Sequence, residues 1–196
     1  MDIPVDLLYI VASFHAKPRM KLLDWININK LDWYYLSENP NAIHLLEEYP
    51  DKMCWNNLST NPNALHLLEK YPNKINWYWL SKNPNAIHIL EKNLNKVDWY
   101  YLSKNPSAIH LLEEYPNKIN WSCLSENPQA LHILEKHPDK INWDYLSFNP
   151  NVIHLLEKNL DKIDWLNLSS NPNAIHLLEK YRNLKLIISF IFIRCL

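Results

Sequence analysis

Trp33, Trp55, Trp77, Trp99, Trp121, Trp143 and Trp165 stand 22 residues apart without exception. Pro40, Pro62, Pro84, Pro106, Pro128, Pro150 and Pro172 keep the same step, and so do His44, His66, His88, His110, His132, His154 and His176. The unit reads W-x-x-L-S-x-N-P-N-A-I-H-L-L-E-K-Y-P-D-K-I-N, and its last copy breaks down near the end. A fixed period of this length means that each unit buries its apolar face on its neighbours, as in a solenoid.

With the Trp as position 1, the second half of each unit has a local reading. Asn149 suits a helix N-cap and Pro150 the first helical position, and good helix formers follow. At about 100° per residue, positions 10, 11, 13, 14 and 17 share one arc and hold Ala, Ile, Leu, Leu and mostly Tyr. Positions 9, 12, 15 and 16 fill the opposite arc with Asn, His, Glu and Lys or Glu. The pattern predicts an amphipathic helix of about three turns, stopped by a proline such as Pro50 or Pro138 or near Asn159.

The Trp half is shorter. Asn or Asp before the Trp can cap a helix of one or two turns, with Trp and Leu facing inward at i and i+3. A strand centred on the Trp is the alternative, and would give an α/β leucine-rich-repeat-like horseshoe. Short connections and missing glycine favour an all-α solenoid of seven helix-turn-helix repeats. Residues 33–181 are the repeat array, 1–32 an N-terminal cap, and 182–196 an apolar tail, either a terminal cap or the remnant of a truncation.

Composition sharpens what such an array can do. The chain holds no glycine, where about 14 would be ordinary at roughly 7%. Phosphate-cradling loops, dinucleotide fingerprints and the G-x-S-x-G elbow all need it. Asn-rich turns, with Asn93 and Asn159 taking positive φ where needed, replace it. No triad or carboxylate pair stands apart from the repeat, so the expectation is a non-enzyme without cofactor. A net charge of -1 leaves no basic footprint for nucleic acid. Cys54, Cys123 and Cys195 form no motif, which points to a reducing cell interior. The apolar run LIISFIFI falls far short of the ~20 residues that span a bilayer, and the N-terminus has no secretory pattern.

Two sets of side chains are candidates for chemistry. The histidines fall one per unit on the polar arc, too far apart to converge on zinc at ~2.0–2.1 Å, so the expectation is a solvent-facing ladder bonded to Glu or backbone and no metal. The positions that drift between units are 2, 3 and 6 of the Trp half, and they are rich in rings. Tyr34, Tyr35, Tyr78, Trp79, Tyr100, Tyr101, Tyr145 and Phe148 either form an exposed recognition strip or pack between adjacent units.

The full unit, as in NPNAIHLLEKYPNKINWYWLS, resembles the tandem repeats abundant in proteins of giant DNA viruses of amoebae, the mimivirus-like group. The resemblance covers residues 20–181 and agrees with the A/T-rich residue usage, 17 Lys against 3 Arg and 26 Asn. It implies a viral repeat protein acting in the host cytoplasm, where a scaffold of this kind would bind a host protein. It carries no catalytic residues. Residues Ile3 to Phe14 are similar to the first helix of an F-box, which implies docking to a Skp-type adaptor and a substrate-presenting role in a ubiquitin ligase. A helical-repeat nucleic-acid reader is the remaining alternative.

Overall fold

The computed structural model describes residues 27–181. The F-box-like segment and the apolar tail lie outside the described residues. The chain divides into two compact units, one ending at Asn76 and the other starting at Trp77, so repeats 1 and 2 belong to the first and repeats 3 to 7 to the second.

Among the described residues every element is helical and none is a strand, so the α-solenoid is the fold and the leucine-rich-repeat-like horseshoe is excluded. Each repeat opens on a Trp helix, Trp33–Glu38, Trp55–Thr60, Trp77–Leu80, Trp99–Lys104, Trp121–Glu126, Trp143–Leu146 and Trp165–Leu168. Its start is set by the residue before the Trp. Asp32, Asp98, Asn120, Asn142 and Asp164 have extended backbone and accept from N–H groups of the first turn, the side-chain cap that orphan helix donors require.

The second helix is shorter than the sequence suggests. The His helices run Ile43–Glu48, Leu65–Lys70, Ile87–Glu91, Ile109–Glu114, Leu131–Lys136 and Ile153–Glu157, with a seventh over residues 175–181. They begin at position 11 rather than at the proline. Position 10 leaves helical geometry, as at Ala42 (φ -93, ψ 5), because Asn39 O accepts from Ala42 N–H and its side chain accepts from Asn41 N–H. The N-P-N segment is therefore a tight turn, made helical only over Pro106–Ala108. After the His helix, Pro50–Lys52, Pro72–Lys74, Pro116–Lys118, Pro138–Lys140 and Leu160–Lys162 each form one 3-10 turn. No described residue has positive φ. Asn159 sits at φ -137 and, like Asn93, spends its amide on a carbonyl four residues back, so the left-handed role assigned to these two asparagines is not used.

Helices of six residues do not persist alone in water, so stacking stabilises them. Within each unit two columns of leucine run through the repeats. One is position 4, including Leu58, Leu102 and Leu124, and the other is position 14, including Leu68, Leu112 and Leu134, all fully buried. Each such burial contributes roughly 1.5–3 kcal/mol. Alanine at position 10, buried at Ala64, Ala108 and Ala130, keeps the helices close.

Two polar side chains complete the stack. Ser103 Oγ donates to Trp99 O at 2.7 Å and accepts from Asn120 N–H at 3.0 Å, so it ties the start of one Trp helix to the cap of the next. The same pair of bonds recurs at Ser37, Ser59, Ser81, Ser125 and Ser147. At position 7, Asn127 accepts from Gln129 N–H and donates both amide hydrogens to the preceding repeat, to Ser103 O at 3.0 Å and Asn105 O at 3.1 Å. Asn61, Asn105, Asn149 and Asn171 repeat this pattern within their units. Among the described residues no buried side-chain polar atom lacks a partner, as the cost of orphaned buried groups demands.

The tryptophans are half-buried rather than fully inward. Each lies against position 17 of its own repeat where that residue is a ring, as in Trp55–Tyr71 at 5.4 Å and Trp121–His137 at 5.1 Å. Repeats 3 and 6 have asparagine there, and Lys96 and Lys162 cover Trp77 and Trp143 instead, at 4.8 and 4.6 Å.

Candidate protein-binding face

With Leu and Ser at positions 4 and 5 turned inward, the helical step turns positions 2 and 6 outward and leaves position 3 at the joint between repeats. The eight candidate rings divide accordingly. Tyr78 and Tyr100, at position 2, are 43% and 42% exposed. Trp79, Tyr101, Tyr145 and Phe148 are half-buried. The division is not uniform: Tyr35, at position 3, is exposed, and Phe148, at position 6, is half-buried.

In the first unit Tyr34 and Tyr35 are exposed and meet edge to face at 5.3 Å, and the next repeat offers only Asn56 and Asn57. The second unit brings four of the rings into one run. Tyr78 meets Trp79 at 5.1 Å and Tyr101 at 4.3 Å, and Tyr101 meets Tyr100 at 5.1 Å, all edge to face, the tilt that ring quadrupoles favour. The Tyr78 and Tyr101 hydroxyls are hydrogen-bonded to each other. That bond, helped by slight desolvation, holds the Tyr78 phenol above its ordinary pKa. The run is therefore fixed by contacts between repeats 3 and 4 before any partner arrives.

Beyond Tyr100 the face changes. Repeat 5 carries the small Ser122 and Cys123, and Tyr145 and Phe148 belong to repeat 6. The Tyr100 hydroxyl bonds the Cys123 thiol, which raises the phenol's pKa. Cys123 is fully buried, and burial pushes its thiol up despite that bond. Lys104 spans this dip. Its ammonium is 2.8 Å from Glu126 Oε2, 5.7 Å from the Tyr100 ring centre and 5.6 Å from that of Tyr145. Burial is the largest single influence and works against its charge, but the bond to Glu126 and the charge of that carboxylate, with smaller contributions from Cys123 and Tyr100, together hold the lysine above its usual pKa.

The sequence reading does not single out Lys104 and Glu126 as parts of this face. The available signal was opposite charge at position 6 of adjacent units, 22 residues apart.

The opposite face carries the histidines, and they do pair with glutamate. The partner is Glu at position 15 of the preceding repeat rather than the Glu three residues on. His66–Glu47, His110–Glu91 and His132–Glu113 lie at 2.8, 2.8 and 2.9 Å, and His176–Glu157 at 3.4 Å. These side chains are about half exposed. Among the described residues no three His, Cys, Asp or Glu groups are placed to hold a metal ion, and no helix is long and apolar enough to cross a membrane. Comparison with protein-family models, with curated proteins and with solved structures found no match to this chain.

Proposed function

We propose that this α-solenoid is a non-enzymatic scaffold that grips another protein, one from the host cell of a giant virus, through the ring-bearing face of its Trp helices. The observation that carries this reading is the run Tyr78–Trp79–Tyr101–Tyr100, with its position-2 rings open to solvent. Tyr and Trp supply large contact area at low entropic cost and dominate interface energetics. The rings are held by one another, so little conformational freedom remains to be lost on binding. By contrast the His face is a regular row of mutually satisfied polar pairs, repeated nearly unchanged, which gives a partner little to distinguish.

A photoreactive benzoyl-phenylalanine placed at Tyr100, and separately at His132, tests the assignment of the face in amoebal lysate. Covalent adducts are expected from position 100 and not from position 132, and Tyr78→Ala with Trp79→Ala should suppress them while helicity persists. Adducts from position 132 alone would move the interface to the other side. An adduct at position 100 that is RNA rather than protein would replace the reading with nucleic-acid binding.

A further inference from the structure

The environment of Lys104 is that of a bound ligand. Two tyrosine rings from different repeats, Tyr100 in repeat 4 and Tyr145 in repeat 6, stand at nearly equal distances from one ammonium. A carboxylate from the repeat between them, Glu126, is hydrogen-bonded to it at 2.8 Å. The small Cys123 is fully buried at position 3 of repeat 5, between the two tyrosines in sequence. Ring faces and a carboxylate around an ammonium are the means by which proteins select cationic side chains. Lys82, at the same position one repeat earlier, is exposed, whereas Lys104 is half-buried, so the arrangement is particular to this place and not a product of the period.

We propose that Tyr100, Tyr145 and Glu126 form a cation clamp that receives a lysine side chain of the bound protein, with Lys104 as the resident occupant that the incoming lysine displaces. This rests on the Trp-helix face being the binding surface and adds the chemistry of the group it takes. The walls are anchored by helices in three successive repeats, whereas Lys104 reaches the clamp on a flexible stem and remains 28% exposed beside a 38% exposed Glu126. Exchange of one ammonium for another leaves the charge within the clamp unchanged. Displaced, Lys104 returns to water, where its charge is fully solvated. A tethered occupant lowers the apparent affinity for the external one by the fraction of time that the clamp is filled.

Removing the occupant tests this directly. The probe is Nα-acetyl-lysine methylamide, followed through the ring protons of Tyr100 and Tyr145 by NMR on the full chain, with Nα-acetyl-norleucine methylamide as the uncharged control. Lys104→Met keeps the apolar stem and empties the clamp, and should bind the lysine amide about tenfold more tightly than the unsubstituted protein. Adding Glu126→Gln should reverse that gain. Equal binding by Lys104→Met and the unsubstituted protein, absence of binding by both, or equal binding of the norleucine amide would each overturn the clamp. Should Lys104→Met lose its helical circular dichroism, Lys104→Gln serves for the same comparison. Photo-adducts at position 100 that survive a failed clamp test would leave the binding face standing without it.

Discussion

Position 7 is the most constrained residue of the repeat. Asn127 uses its carbonyl oxygen and both amide hydrogens, and no other residue type offers one acceptor and two donors on so short a stem. Asn127→Ala would strand two carbonyls of the preceding repeat and the Gln129 amide, and should cost about 2–3 kcal/mol in urea unfolding. Asn127→Asp should cost more, because a buried carboxylate cannot donate to those carbonyls. The titratable groups make a second prediction at this scale. Cys123, Tyr78, Tyr100, Tyr115 and Lys104 all have their pKa raised by folding. For each, the protonated form is the one the fold favours, so its contribution is present below its ordinary pKa and lost as pH rises through the folded value. The unfolding midpoint should therefore fall above about pH 9, the ordinary thiol value. Cys123→Ala should remove part of that fall; an unchanged alkaline limb would show that the buried thiol contributes nothing to it.

At the scale of the element, the Trp helices depend on their caps. Cys54 occupies the cap position before Trp55 and makes no capping bond, whereas Asp32, Asp98 and Asn120 at equivalent positions do. Cys54→Asn should stabilise the protein by about 0.5–1 kcal/mol, read as a rise in thermal midpoint. The capping and the inward leucines were legible in the sequence because each is decided within one helical turn. The His helix was overextended because Asn and Pro are good N-terminal signals wherever a turn begins. Here the asparagine closes a turn of its own, and its amide belongs to the previous repeat. That second partner lies 22 to 24 residues away, a distance over which local pattern carries no information. The same limit hid the Glu partners of His66, His110 and His132, 19 residues back, and the Lys104–Glu126 pair. Of the candidate rings, sequence located the face but not its division. Exposure at position 2 and half-burial at position 3 depend on what the neighbouring repeat supplies, as Tyr101 against Tyr78 shows.

At the scale of the molecule, stability is a sum of repeat terms and nearest-neighbour interface terms, and most of the polar interface terms come in one form. Excision of residues 99–120 would bring Asn127 against Ser81 and Asn83, the carbonyls that Asn105 uses now. Helicity per residue and cooperative unfolding should survive that deletion. Excision of residues 99–109 removes half a period and should abolish both, as judged by circular dichroism. The face, by contrast, is not interchangeable: the first deletion also removes Tyr100, Tyr101 and Lys104, and should abolish binding while leaving the fold.

The asparagine ladder has a consequence for how such a chain can change over generations. Within each unit, every copy offers its successor the same pair of carbonyls and asks the same pair of its predecessor. Copies thus join like identical links, and unequal recombination between them lengthens or shortens the array without leaving an unsatisfied end inside it. Only the variable residues at positions 2, 3 and 6 then record which links were kept, so the array can be resized first and its specificity rewritten afterwards.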